Sequence, residues 1–162
     1  NNNIHIFALN ESRLDDSIRD VDIKIDHYKL VRKDRNRQGG GVAIYIHESL
    51  TYRQVSNSSV DQLEAIVLLI DVKKSKPLIF VNWYRPPNSK YEVMSLYEDM
   101  LQFIESFNAS VILMGDVNLN ILQQPLSTEC KRFCQFNNIH DLHQINTCEF
   151  TRVSPESSSE TL

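Results

Sequence analysis

The stretch Val111-Ile112-Leu113-Met114-Gly115-Asp116-Val117-Asn118 joins an apolar run to an acid and an amide. Its apolar half predicts a short buried strand, and Gly115 leaves room for close approach at the end of it. In an extended chain, Asp116 and Asn118 point the same way while Val117 turns back to the core. Ligands of open α/β sheets bind beyond the carboxyl ends of strands, so this is a candidate active-site segment. Taken alone, the motif fits an ordinary turn equally well, because Gly, Asp and Asn are turn formers.

The composition is that of one ordinary globular domain, which we assign to residues 1–162. Hydrophobic residues make up 41% and charged residues 23% of the chain. The formal net charge of -4 argues against a module that only binds nucleic acid, but a nuclease needs carboxylates of its own. Three cysteines fit no disulfide framework and indicate a reducing compartment, either nucleus or cytoplasm. No apolar stretch is long enough to predict a membrane span.

Hydrophobic periodicity predicts strands alternating with helices. The expected strands are Ile4–Leu9, Tyr28–Val31, Val42–Ile46, Leu63–Val72 and Pro77–Tyr84, the last two forming a hairpin. The expected helices are a short one within Leu14–Val21, an amphipathic one over Tyr91–Phe107, and one that Ser127 caps and that runs to Phe136. This order excludes an all-helical bundle and predicts an α/β protein with mixed sheets and helices packed outside.

Two more strand ends carry polar groups. Glu11 follows the first strand, and an isolated carboxylate of this kind suits Mg²⁺, which takes one or two carboxylates with water and phosphate oxygens. Tyr84 ends the Pro77–Tyr84 strand, where a phenol can hydrogen-bond a phosphate oxygen or stabilise developing charge. The alternatives are an exposed acid at a strand terminus and an aromatic strand end followed by Pro86 and Pro87.

A basic loop over residues 32–38 contains Arg32, Arg35 and Arg37 and is followed by Gly39-Gly40-Gly41. Arginines neutralise DNA phosphates, and a glycine hinge would let the loop follow a groove. The alternative is a solvated hairpin tip. The glycines do not form a P-loop, because no Gly-Lys-Ser/Thr follows them.

A zinc site and a hydrolase triad are both rejected. Cys130, Cys134, His140 and His143 have no recognised zinc-finger spacing, and buried cysteines on an amphipathic helix explain the pair better. No serine occupies a nucleophile elbow.

Five motifs in order resemble one family. They are Ala8-Leu9-Asn10-Glu11-Ser12-Arg13-Leu14, the run from Arg32 to Tyr45, Tyr84-Arg85-Pro86-Pro87, Gly115-Asp116-Val117-Asn118 and Thr151-Arg152. Together they are similar to the endonuclease domain of non-LTR (LINE-type) retrotransposons, which belongs to the exonuclease-endonuclease-phosphatase superfamily with apurinic endonucleases and deoxyribonuclease I. The resemblance covers essentially the whole chain. It implies a four-layer α/β sandwich of two mixed β-sheets flanked by helices.

The resemblance also implies an activity: Mg²⁺-dependent, or Mn²⁺-dependent, hydrolysis of a DNA phosphodiester. The nick leaves a 3′-hydroxyl that primes reverse transcription by a reverse transcriptase domain of the same polyprotein. Carried over by motif, Glu11 is the metal ligand and Tyr84 lies against the scissile phosphate. Asp116 activates or positions the attacking water, and Asn118 orients the water or the phosphate. Thr151 resembles a substrate-binding position near the active site.

Two other functions stay open at this point. A superfamily phosphoesterase acting on another substrate would share the same residues. A catalytically dead remnant that binds DNA would keep the fold alone.

The chain lacks several elements that the family pattern contains, and we therefore expect an internal piece truncated at both termini. The family pattern has an Asn before the strand of Glu11, an Asp after the Ser-rich stretch and a C-terminal Ser-Asp-His; the chain starts too late to contain the first and stops before the other two. Losing the catalytic His of a co-operating set typically costs several orders of magnitude in rate, so we expect the 162-residue chain alone to be nearly inactive. A plasmid-nicking assay with Mg²⁺ checks this, and clear nicking that Asp116→Ala abolishes would contradict it.

Overall fold

The computed structural model describes residues 4–122 and 124–145. The strands are β1 (Ile6–Asn10), β2 (Tyr28–Lys33), β3 (Val42–His47), β4 (Tyr52–Gln54), β5 (Glu64–Ile70), β6 (Leu78–Tyr84) and β7 (Ser110–Asp116). The helices are α1 (Ser58–Gln62), α2 (Glu92–Glu105) and α3 (Thr128–Ile139), with a 3-10 helix at Asp20–Ile23. Thr151 and the motif that contains it lie outside the described residues.

The strands form two sheets. The smaller has the order β1-β3-β2 and antiparallel pairings. The larger has the order β4-β5-β6-β7 and is mixed, because β6 and β7 pair in parallel while the other pairs are antiparallel. The α/β architecture expected from the sequence is confirmed, and so is the hairpin of β5 and β6.

Strand alternation on β5 and β6 supplies two cores. One set of side chains, including Ile66, Leu68 and Phe80, packs between the two sheets. The opposite set, including Val81 and Trp83, packs under α2 and α3. Full burial of each such side chain stabilises the fold by about 1.5–3 kcal/mol. Because β5 and β6 contribute to both cores, they hold the smaller sheet on one face and the helices on the other.

An aromatic stack fixes the helices on the larger sheet. The rings of Trp83 and Tyr97 stack with their centroids 4.4 Å apart, and Phe133 of α3 follows at 5.4 Å from Tyr97. Ser127 caps α3 by accepting a hydrogen bond from the Cys130 amide, as expected. Cys130 is buried and Cys134 half-buried, as in the helix-core interpretation.

Two expectations about local structure need correction, and two short elements were not expected. The helix expected within Leu14–Val21 is wrong: residues 14–19 are not helical, and a single 3-10 turn follows at Asp20–Ile23. β4 and α1 were not expected, because elements of three and five residues are too short to show a period. The expected buried strand at Val111–Met114 is β7, which lies at an edge of the sheet. Its side chains at Ile112 and Met114 are 45% and 49% exposed.

Among the described residues, no helix combines the length and the hydropathy needed to cross a bilayer.

Gly115 admits no side chain, which gives a test of the β6–β7 pairing. A Cβ on Gly115 would lie 1.8 Å from the Trp83 carbonyl oxygen, and its φ is +148°. We expect Gly115→Ala to lower the free energy of unfolding by at least about 2 kcal/mol, measured by urea denaturation. Gly39→Ala is the control, because Gly39 does not have a positive φ and a Cβ there would meet only one side-chain atom, Arg35 Nη2, at 3.1 Å. Equal stability of the two variants would contradict the prediction.

Candidate active site

Three polar side chains share one row at the end of the larger sheet. Tyr84, the last residue of β6, pairs in register with Glu64 of β5 and with Asp116 of β7. Register partners point to the same face of a sheet. This face is turned toward the smaller sheet, since Tyr84 belongs to the core between the sheets.

Hydrogen bonds between the two sheets bring β1 to this row. The buried Asn82 Nδ2 donates to the Leu9 carbonyl at 2.9 Å and to the Ala43 carbonyl at 3.2 Å. In the opposite direction, Asn10 Nδ2 donates to the Trp83 carbonyl at 2.9 Å. The C-terminal ends of β1 and β6 therefore lie side by side.

Glu11 and Tyr84 meet at this junction. The Tyr84 hydroxyl donates to Glu11 Oε1 at 2.5 Å. Tyr84 is 2% exposed, and desolvation raises its pKa to about 12, helped by the hydrogen bond to the Glu11 carboxylate. A phenol is neutral at physiological pH at its ordinary pKa, and this shift moves its ionisation further from that range. The side chain of Glu11 is 45% exposed, so its carboxylate also faces solvent.

The backbone of Glu11 has φ of +52°, a region that L-residues adopt at a cost of about 1–3 kcal/mol. Two hydrogen bonds hold the chain just after it. The Ser12 amide donates to the Gly41 carbonyl at 3.1 Å, and the Arg13 amide donates to the Gly40 carbonyl at 3.0 Å. The glycine segment therefore fixes the conformation in which Glu11 reaches Tyr84.

The Asp116–Asn118 segment is a turn, not the extended chain that was assumed. Asp116 Oδ1 accepts the Asn118 amide at 3.0 Å, and Asn118 has φ of +48°. The turn forms because an Asp side chain can accept the amide two residues ahead of it. Val117 packs at the edge of the core under the helices, as expected.

A buried arginine holds this turn and was not found from the sequence. The Arg85 amide donates to the Asp116 carbonyl at 2.9 Å, and Asn118 Nδ2 donates to the Arg85 carbonyl at 2.9 Å. The guanidinium of Arg85 is 1% exposed and pairs with Glu129 of α3 at 2.9 Å. The only sequence signal was the position of Arg85 directly after Tyr84, because Glu129 lies 44 residues away.

The three arginines of the basic loop lie in different surroundings. Arg32 is 18% exposed and bound to Asp20 at 2.9 Å, to Asp34 at 3.3 Å and to the Ile18 carbonyl. Arg37 is exposed at the surface. Arg35 lies at the site, with its Cζ 5.9 Å from the centre of the Tyr84 ring.

The hinge expected at Gly39-Gly40-Gly41 is wrong, because all three glycines are buried. The neighbouring Lys33 is also tied inward: its ammonium donates to the Val60 and Asp61 carbonyls at 2.9 and 2.8 Å. Desolvation lowers the pKa of Lys33, against the opposing effect of Asp61 and Glu64. The loop is therefore packed at its base, with Arg35 and Arg37 toward solvent.

The donors at this site suit a hard cation. Within the described residues, no group of three or more His, Cys, Asp or Glu side chains could hold a metal ion by itself. Mg²⁺ does not need such a group, because it keeps several waters and binds one or two carboxylates together with phosphate oxygens. The half-exposed carboxylate of Glu11 fits this mode. The zinc candidates do not converge here: His140 pairs with Glu105 at 3.2 Å and Cys130 is buried in α3.

The Arg85–Glu129 pair gives a second stability test. Glu129→Gln leaves the buried guanidinium without a counter-charge, which we expect to lower the free energy of unfolding by about 2 kcal/mol. The cost stays below that of a fully buried pair, because the Glu129 side chain is 34% exposed. Glu98→Gln on α2 is the matched control. Urea denaturation that cannot distinguish the two variants would refute this role of Glu129.

Comparisons with known proteins place the fold. No protein-family model and no curated protein matches the sequence. The structure is similar to the endonuclease domain of TRAS1, a telomere-specific non-LTR retrotransposon, with a TM-score of 0.66 and 13% sequence identity over 90% of this chain and 63% of that one. It is also similar to ANGEL2, a 2′,3′-cyclic phosphatase, with a TM-score of 0.50 and 16% identity over 71% of this chain and 39% of that one.

The chain thus spans less than two thirds of either of these structures. At such identities the likeness concerns the fold. The resemblance that the sequence motifs indicated is confirmed at that level: this chain has the fold of a non-LTR retrotransposon endonuclease domain, which is also similar to that of a phosphatase.

Proposed function

We propose that this protein is a metal-dependent endonuclease that hydrolyses a DNA phosphodiester. The observation that carries the proposal is the hydrogen bond between Glu11 and Tyr84, at the ends of β1 and β6. Asp116, the register partner of Tyr84, stands beside this bond at the end of β7. A carboxylate open to solvent can bind a cation, a neutral phenol can donate to developing charge, and a second carboxylate can accept a proton from water, which are three roles that serve phosphoester hydrolysis. The fold it shares with an endonuclease domain and a phosphatase supports hydrolysis of phosphoesters as the broader class.

Glu11 would hold Mg²⁺, or Mn²⁺ in its place. The bound cation supplies Lewis-acid polarisation of a phosphoryl oxygen. Glu11 suits this role because its backbone is held in place and its carboxylate is 45% exposed.

The other residues act on the phosphate and on water. Tyr84, a neutral phenol, has a single O–H, which would turn from Glu11 to a phosphate oxygen once Glu11 holds the cation. Asp116 accepts a proton from the attacking water or positions that water. Asn118 donates one Nδ2 hydrogen to the Arg85 carbonyl, so its side-chain oxygen would accept from the attacking water and its second N–H would donate to the phosphate.

The proposed partners are DNA and a reverse transcriptase domain of the same polyprotein. Arg35 and Arg37 are the loop residues with access to a DNA backbone, whereas Arg32 is engaged with Asp20 and Asp34. Thr151 stays a prediction from the family resemblance alone.

A second candidate function is hydrolysis of another phosphoester. The similarity to ANGEL2, a 2′,3′-cyclic phosphatase, favours it. The two functions use the same site and differ in the substrate that the surrounding surface accepts.

Binding measurements test the proposal without requiring turnover. Mn²⁺ affinity is measured by water-proton relaxation, and binding of a fluorescent DNA duplex by anisotropy with and without Mn²⁺. We expect Glu11→Gln to weaken Mn²⁺ binding at least about tenfold and to abolish the effect of Mn²⁺ on DNA binding. Glu48→Gln is the matched control and should behave as wild type. Glu48 is 57% exposed and follows the end of β3 that lies away from Glu11.

Three results would count against the proposal. Equal Mn²⁺ affinity of the Glu11→Gln and Glu48→Gln variants would exclude Glu11 as the ligand. DNA binding that ignores the metal would favour a non-catalytic DNA-binding remnant. Displacement of the duplex by a 2′,3′-cyclic nucleotide at lower concentration than by a DNA dinucleotide would favour the second candidate function.

A further inference from the structure

Glu64 is a half-buried carboxylate beside Tyr84 that neither the motifs nor the proposed mechanism uses. It is the first residue of β5, pairs in register with Tyr84, and its side chain is 19% exposed. A charge withdrawn from water to this extent needs partners. The two carboxylate oxygens of Glu64 have different hydrogen-bond partners.

One oxygen holds the glycine segment. Glu64 Oε2 accepts the Gly41 amide at 2.7 Å. The carbonyls of Gly41 and Gly40 in turn accept the amides of Ser12 and Arg13. These bonds support the positive φ of Glu11, so one oxygen of Glu64 acts on the Glu11 backbone through a short chain of hydrogen bonds.

The other oxygen holds Arg35. Glu64 Oε1 accepts Nη1 of Arg35 at 2.8 Å, and Arg35 Nε donates to the Gly39 carbonyl at 2.8 Å. These two contacts hold the guanidinium 5.9 Å from the centre of the Tyr84 ring, with the Arg35 side chain 38% exposed. A guanidinium has five N–H donors in a rigid fork that suits phosphate, and these bonds use two of them.

The side chains of Arg35 and Glu64 pack so closely against Gly40 that this position has no room for a side chain. A Cβ on Gly40, whose φ is +72°, would lie 2.3 Å from Arg35 Cζ and 2.6 Å from Glu64 Oε2. Arg35, Glu64 and the glycine segment therefore form one packed unit next to Tyr84.

We propose that Glu64 is a positioning residue with two separable effects. Through Gly41 it sets the Glu11 backbone, and through Arg35 it holds a guanidinium beside Tyr84 as a binding subsite for a second phosphate of the nucleic-acid strand. This inference rests on the proposed function, because that function identifies the ligands as a cation and a DNA phosphate. The hydrogen bonds of Glu64 do not depend on it.

The two effects are tested with Glu64→Ala, Glu64→Gln and Arg35→Gln. The control is Arg53→Gln, which removes an exposed guanidinium of β4. The measurements are hydrogen exchange at the Ser12, Arg13 and Gly41 amides, Mn²⁺ affinity, and the salt dependence of binding to a DNA duplex.

We expect Glu64→Ala to speed exchange at the three amides and to weaken Mn²⁺ binding about tenfold. Glu64→Gln keeps an oxygen for Gly41 and should retain slow exchange, but it carries no charge for Arg35. In both Glu64→Gln and Arg35→Gln, the slope of log DNA affinity against log salt concentration should therefore fall by about one, which corresponds to one phosphate contact. In Arg53→Gln the slope should not change.

Unchanged exchange at Ser12 and Arg13 in Glu64→Ala would overturn the first effect. A salt dependence for Arg35→Gln equal to that for Arg53→Gln, or wild type that does not bind DNA, would overturn the second. Failure of the proposed function has its own signature, because the wild type would then show no Glu11-dependent Mn²⁺ binding. The exchange rates decide the role of Glu64 in that case as well.

Discussion

The hydrogen bonds that cross between the two sheets set the geometry on which the candidate site depends. Asn82 is fully buried, and its Nδ2 has lost water as a partner, so the bonds from Nδ2 to the Leu9 and Ala43 carbonyls fix how the sheets align. Apolar packing alone is non-directional and would allow the sheets to slide. With Asn10 bonded to the Trp83 carbonyl as well, the ends of β1 and β6 have one relative position. The contact between Glu11 and Tyr84 is a consequence of that position.

The site residues that could be predicted from the sequence are those whose signal is local. Glu11, Tyr84 and Asp116 each come at the end of an apolar run, and a strand that ends in a polar residue is visible in a short window. The sheet order then brings them together. The direction of the Asn118 side chain could not be predicted, because the Asx turn at Asp116 replaced the extended chain on which the alternation argument rested.

The residues that support the site could not be predicted, since their partners are distant in sequence. Glu64 acts on Gly41, 23 positions away, and Arg85 on Glu129, 44 positions away. Arg32 shows the converse difficulty: in sequence it is indistinguishable from Arg35, yet Asp20 and Asp34 bind it internally. The glycine segment suggested a hinge by composition, whereas the space around Gly40 is filled by Arg35 and Glu64. Packing, and not residue type, decides each of these roles.

Three of the hydrogen bonds at the sheet junction join residues that are 73 positions apart. Contacts of such long range form late in folding, because the entropy of closing a large loop comes before the reward of the contact. Each sheet is held by its own strand pairings, so a local opening of the junction, which would expose apolar side chains packed between the sheets, would leave those pairings intact. In that event the carboxylate of Glu11 separates from the phenol of Tyr84 although the secondary structure is intact. During synthesis, likewise, the two groups meet only after β6 has emerged and docked on β1.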